Sequence, residues 1–295
     1  MIVTALVLIA IGGIDLIRQF VGPGAAVAPA GSGVTGALPA DAAAGIASRI
    51  RAARGRRARW IALAAAGAFV LLLSIAAGAW PAGILAVACA GAWLWCFPTR
   101  GAARAGIWPV VGLAVLCAAF VALLGPRTDV GLLGVLWSLP SPWGPLSLDA
   151  ALLVIGVILF LFESSNLVVR AALAQAKTVD ASAAPSITPG AAASVPGPTV
   201  RPTSSAEPPA IAPLKGGRLI GPLERVVMFG LVLSASYTLL AAVLAAKGIV
   251  RFPEISRDRD AGNRAEYFLV GSLVSWVIAL AAAFLVWWAF AATGV

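Results

Sequence analysis

The chain has 295 residues, of which 61% are hydrophobic and 11% charged, and its mean hydropathy is +0.97. Soluble domains are roughly 45–50% apolar and about 25% charged, so a soluble globular protein is excluded. Lys and Arg number 21 against 12 Asp and Glu, a net charge of +9; in an apolar chain this points to loops held against an anionic leaflet rather than to nucleic acid, and no aromatics interleave the arginines for base stacking.

Apolar stretches long enough to cross about 30 Å of hydrocarbon then follow in order. The first, residues 1–17, carries no charge before Asp15 and Arg18. A retained helix is expected; a cleaved signal peptide is the rival, but it would need a basic segment ahead of the apolar run, and Pro29 follows the cleavage-like Ala26-Val27-Ala28. Asp15 and Arg18 form an i,i+3 pair near the helix end, where snorkelling accommodates the arginine. Residues 22–48, rich in Gly, Ala and Pro, read as a flexible linker. Arg49, Arg51, Arg54, Arg56, Arg57 and Arg59 follow within eleven residues and are expected to meet anionic lipid headgroups.

Spans are expected at 60–80, 81–97 and 107–125. The next apolar run, Val130–Leu139, is too short to cross and precedes Pro140, Pro142 and Pro145, so it reads as surface-lying or re-entrant. A fifth span covers 150–170. Residues 178–214 contain eight prolines and cannot bury a core. The last two spans fall at 226–246 and 267–291. The fold class expected is thus an all-α, polytopic transmembrane bundle of about seven spans. It divides into a five-helix part (1–176), a disordered linker (177–217) and a C-terminal two-helix part (218–295).

Loop charge orients the bundle. Segments 18–59, 98–106 and 170–225 hold seven, two and six Lys/Arg, fifteen together, against six elsewhere. That ratio places 178–214 and the C-terminus in the cytoplasm. Five of those six lie in 247–266; if 226–246 instead turned back around Ser234-Ala235-Ser236, the bias would become twenty against one. Trp60, Trp80, Trp93, Trp95, Trp108, Trp287 and Trp288 fall near the expected span ends, where indole rings favour the interface.

The residues with potential chemistry are few. There is no histidine, which removes H-E-x-x-H zinc sites and Ser-His dyads; no G-x-x-x-x-G-K-[ST] loop is present. No cofactor or metal is expected. Cys89, Cys96 and Cys117 have no C-x-x-C pairing and read as small core residues. Glu163 is the sharpest signal, because a carboxylate within a span is costly. Asn166 and Arg170 follow at i+3 and i+7 on the same face. The group reads either as an ion or proton site or as a carboxyl hydrogen-bonded to a neighbouring helix. Glu224, Arg225, Lys247, Arg251, Glu254 and Glu266 lie where the last two spans meet the interface and read as one ion-pair cluster. Gly271 and Ser275 form a small-xxx-small face for helix packing.

The C-terminal region carries Gly217-Arg218-Leu219-Ile220-Gly221-Pro222-Leu223-Glu224-Arg225, then Ala245-Ala246-Lys247-Gly248-Ile249-Val250-Arg251-Phe252, then Glu266-Tyr267-Phe268-Leu269-Val270-Gly271-Ser272-Leu273-Val274-Ser275. These resemble the motifs G-[RK]-x-I-G-x-L-E-R, A-A-K-x-I-x-R-F and E-Y-x-L-x-G-[ST]-L-x-S of an uncharacterised bacterial inner-membrane family, a domain of unknown function. The similarity covers about 217–275 and reaches back to Asn166 and Arg170. It implies a bacterial inner membrane and leaves the activity open. The expected role is non-enzymatic helix packing or docking of a membrane-protein partner or a second copy. The alternative is a transporter or channel for a small ion or solute built around Glu163.

Overall fold

The computed structural model describes residues 1–20, 40–98, 106–125, 127, 131–137, 139–141, 144–183, 217–256 and 261–293. Helix α1 (Ile2–Phe20) is the most buried span and forms the axis of the bundle. Helix α2 (Ala40–Ala76) turns at Gly78 into α3 (Trp80–Cys96), and α4 (Trp108–Leu123) follows. Pro81 and Pro109 stand in the first turns of α3 and α4, where a missing N–H costs nothing. A short helix α5 (Gly131–Leu136) and a two-residue-linked hairpin of β1 (Leu139–Ser141) with β2 (Gly144–Leu146) lead to α6 (Leu148–Leu159). Ser147 caps α6, accepting from the Ala150 N–H at 3.3 Å, and Asp149 lies in its first turn, favourably placed toward the helix dipole. A π-helical turn, Phe160–Ser164, joins α6 to α7 (Ser165–Ala183). The C-terminal part comprises α8 (Gly217–Leu233), α9 (Tyr237–Ser256) and α10 (Ala261–Thr293).

Contacts fix the direction of each helix. Gly156 meets Ala5, Leu8 and Ile9, Gly12 meets Leu159 and Phe160, and Asp15 meets Ser164, so α1 runs parallel to α6 and α7. Backbones touch there: a Cβ on Gly12 would stand 2.7 Å from the Leu159 carbonyl carbon, and one on Gly156 2.8 Å from the Ala5 oxygen. Only glycine permits that approach. Trp93 at Asp15 and Phe97 at Arg18 make α3 parallel to α1 as well. Helix α2 returns antiparallel, with Ser74 against Gly83. Helix α10 runs antiparallel to α7: Gly271 lies beside Val169 and Leu173, and Ser275 reaches the Ser165 level through Arg225.

The bundle is helical, with the small β1–β2 hairpin in the α5–α6 connection. Among the described residues four segments are long and apolar enough to cross a membrane: Ile2–Gln19, Arg57–Ala76, Leu148–Ala176 and Phe268–Ala292; Trp80–Cys96, Trp108–Leu123 and Tyr237–Ile249 are shorter apolar helices. The expected span at 226–246 is broken. Helix α8 stops at Leu233, Ala235 adopts φ 53°, and α9 starts at Tyr237. Glu224 and Lys247, eleven and twelve residues either side of Ala235, hydrogen-bond to each other, so α8 and α9 fold back antiparallel. Three serine hydroxyl bonds support the turn, Ser234 Oγ to Leu231 O, Ser234 Oγ to Ser236 Oγ and Ser236 Oγ to Ser234 O. Local side-chain bonding of this kind competes with helix continuation.

Two other boundaries differ from expectation. The backbone is already helical from Ala40, inside the stretch read as a flexible linker, because the alanine-rich sequence from Ala40 is a strong helix former. Helix α7 likewise continues to Ala183; the remainder of the proline-rich linker, 184–216, lies outside the described residues, as does 21–39.

Candidate functional site

The π-helical turn sits where α1, α3, α7, α8 and α10 meet, and two buried polar networks leave it in opposite directions. On one side Ser164 Oγ donates to Asp15 Oδ2 at 2.8 Å, and Trp93 Nε1 donates to the same oxygen at 2.8 Å. Arg18 Nη1 pairs with Asp15 Oδ1 at 3.0 Å while its Nη2 donates to the Phe97 carbonyl at 2.6 Å. Asp15 is buried. The pair expected from the sequence is therefore present, but it lies inside the bundle. Arg18 is held by protein acceptors instead of snorkelling to the interface, and Trp93, expected at a boundary, is a buried donor to this carboxylate.

On the other side Arg225 is the organising residue, 3% exposed. Its Nε donates to Ser275 Oγ at 2.9 Å, its Nη1 to the Leu161 carbonyl at 2.9 Å and to Ser165 Oγ, and its Nη2 to Asn166 Oδ1 at 2.6 Å. Asn166 turns its amide the other way, donating from Nδ2 to Glu163 Oε2 at 3.2 Å. One amide thus links the buried cation to the buried carboxylate. Leu161 O also accepts from Ser165 Oγ at 2.6 Å. At the α7 junction the Ser165 N–H reaches back five residues to Phe160 O. This extra residue per turn brings the consecutive hydroxyls of Ser164 and Ser165 to separate networks. Such π-turns recur at functional sites.

The two networks are each charge-compensated. Arg18 faces Asp15. Arg225 and Glu163 share Asn166, and Arg170 Nη2 stands 3.9 Å from Glu163 Oε1. Arg170 is itself largely exposed and donates from Nε to the Asn166 carbonyl, so it marks the rim. Among the described residues no buried side-chain nitrogen or oxygen lacks a hydrogen-bond partner. In a low-dielectric interior that completeness decides whether such a cluster stabilises or costs.

Of the six residues expected as one interfacial cluster, the side chains of Glu224, Arg225 and Lys247 are described, and Arg225 parts from the other two. Glu224 and Arg225 are neighbours on α8, and consecutive helical positions point about 100° apart. Arg225 enters the buried network; Glu224 faces α9, accepting from Lys247 Nζ at 2.6 and 2.7 Å and from Trp276 Nε1 at 3.4 Å. The Lys247 ammonium also lies 5.8 Å from the Phe268 ring centre and 5.7 Å from that of Trp276, within cation–π range. The side chains of Arg251, Glu254 and Glu266 lie outside the described residues. Of the packing pair, Gly271 faces Val169 and Leu173, where an added Cβ would make ordinary contacts of 3.6–3.9 Å. Ser275 is a hydrogen-bonding partner of Arg225 more than a small spacer.

Sequence reasoning placed Glu163 and Asn166 together but missed Arg225 as their partner, 59 residues beyond Asn166. It also missed Ser164 and Ser165. The available signal was the Glu224-Arg225 dipeptide itself, whose two adjacent charges point about 100° apart on a helix and so meet different neighbours. Among the described residues no three Cys, Asp or Glu side chains converge in a metal-like group.

These features define a helical protein with segments suited to crossing a membrane and a closed polar centre. Compared with protein-family models, curated proteins and solved structures, the chain matches none.

Proposed function

We propose that the chain is a multi-pass, non-enzymatic protein of a bacterial inner membrane, serving as a packing or docking element. The observation that carries this reading is the environment of Glu163. A permeation site needs its carboxylate on a wet path. Glu163 instead packs at 6% exposure against Asn166 and Arg170, and the chamber between α1, α2 and α3 is apolar and distant from it in the lining. A satisfied network of this kind fixes how helices sit together.

The bacterial inner membrane rests on the motif resemblance, and the three motifs act in this reading as one unit. Arg225 from the first, Lys247 from the second and Ser275 from the third all contribute to holding α8–α10. The orientation we propose rests on loop charge counted with α8 and α9 as a re-entrant pair. With α8 and α9 as a re-entrant hairpin, the crossings are α1, α2, α3, α4, α6–α7 and α10. Twenty Lys/Arg then gather on one face and Arg127 alone on the other. Arg127 is neutralised by Asp149, donating at 2.5 and 3.1 Å, and donates to the Ala77 carbonyl at 2.8 Å. The basic face is cytoplasmic by the positive-inside rule, and the C-terminus of α10 lies opposite, in place of the cytoplasmic position that seven spans would give it.

Proteoliposome flux tests the role. The purified protein should move no protons, sodium or potassium above protein-free vesicles. A flux abolished by Glu163→Gln would overturn the packing reading in favour of transport.

A further inference from the structure

Helices α1, α2 and α3 enclose an apolar groove of about 300 Å³. It runs along α2 from Trp60 to Val70 and along α3 from Leu94 back to Val87, closed behind by Ala10 and Ile14 of α1. Ten residues of helix make it about 15 Å long, half of a hydrocarbon core of about 30 Å. Its mean cross-section is therefore about 20 Å², room for one extended hydrocarbon chain but not for a helix of about 10 Å diameter. A Cβ on Gly67 or Gly91, both in the lining, would meet no atom within 4 Å. The space is open on both walls.

The mouth of the groove is charged. Arg57, Trp60, Ala64 and Gly67 follow one another at i, i+3, i+7 and i+10 on α2 and so share a face. Arg57 is exposed, one turn before Trp60 at the groove's outer end. An apolar slot half a bilayer core long, opening beneath an arginine, has the chemistry of a lipid with a negative headgroup.

We propose that this groove is a specific site for one anionic phospholipid of the leaflet on the basic face. One acyl chain lies between α2 and α3, and the phosphate sits against Arg57. A second copy of the chain would need a wider slot. The site stands independently of whether the polar centre serves packing or transport.

Native mass spectrometry of the purified protein, with phosphatidylglycerol or phosphatidylcholine added, reads the occupancy. One phosphatidylglycerol should be retained in preference to phosphatidylcholine. Gly67→Leu, which fills the slot from α2, should remove it, and Gly91→Leu should do so from α3. Arg57→Gln should keep a lipid but lower the preference for phosphatidylglycerol by about fivefold, whereas Arg59→Gln, on the other side of α2, should leave it unchanged. Equal retention of the two lipids by the unaltered protein would overturn the proposal. So would phosphatidylglycerol retention that neither glycine variant changes, or a dimer that Gly67→Leu abolishes.

Discussion

Arg225 has four acceptors arranged around one guanidinium: a carbonyl, an amide oxygen and two hydroxyls. Arginine presents five donors in a planar fork, whereas lysine offers three from a single point. Gly221, one turn earlier on α8, leaves room for the group: a Cβ there would stand 3.4 Å from Arg225 Nη2. Arg225→Met should therefore lower stability by about 3–5 kcal/mol, since several buried acceptors lose their donor at once at about 1–3 kcal/mol each, well above the roughly 1 kcal/mol of a single polar contact between membrane helices. Adding Glu163→Gln removes the charge that Asn166 links to Arg225 and should recover part of that loss, while Arg225→Lys should cost less than Arg225→Met. Thermal unfolding in detergent reads all three. Strict additivity of Arg225→Met and Glu163→Gln would mean that Asn166 does not couple them. The sequence displayed Glu163 and Asn166 because intrahelical spacing is local information. Their cation was not legible, since nothing local says which of two adjacent charges on α8 turns inward.

Helix α8 and helix α9 together span the interval that hydropathy reads as a single crossing. Composition cannot separate 21 apolar residues in one helix from two short arms joined by a turn, because burial in lipid satisfies both. The turn was visible only as Ser234-Ala235-Ser236, whose hydroxyls bond locally. Ala235 sits at φ 53°, a conformation that costs a residue bearing a Cβ roughly 1–2 kcal/mol. Ala235→Gly should therefore stabilise the protein by about 1 kcal/mol. If 226–246 were a continuous helix, the same glycine would destabilise it by about 0.5–1 kcal/mol, so the sign of the change in unfolding temperature separates the two. At the same scale, the π-turn at 160–164 was unreadable: Phe160-Leu161-Phe162-Glu163-Ser164 fits an ordinary α-helix. From this turn the consecutive Ser164 and Ser165 serve Asp15 and Arg225. The four segments long enough to cross, at 2–19, 57–76, 148–176 and 268–292, were legible, because apolar runs of about 20 residues have few alternatives in a bilayer.

Across the whole molecule, helix direction is what the proposed topology is built on: among the described residues α1, α3 and α6–α7 run parallel, α2 and α10 antiparallel, and α8 and α9 fold back on each other. Seven spans divide the Lys and Arg fifteen against six, five of the six falling in 247–266. A re-entrant α8–α9, as we propose, counts that segment with the basic loops and makes the division twenty to one. The buried network at the π-turn then has a plain role: it ties α8 and α10 to the helices of the N-terminal part across a linker in which only one charge of each sign, Arg201 and Glu207, falls between 184 and 214. Paired cysteine labelling tests this architecture most directly. In a background lacking Cys89, Cys96 and Cys117, single cysteines at Ala261 and at Gly294 are exposed to a membrane-impermeant thiol reagent in intact cells. The hairpin architecture predicts protection at 261 and labelling at 294; labelling at 261 with protection at 294 would contradict it.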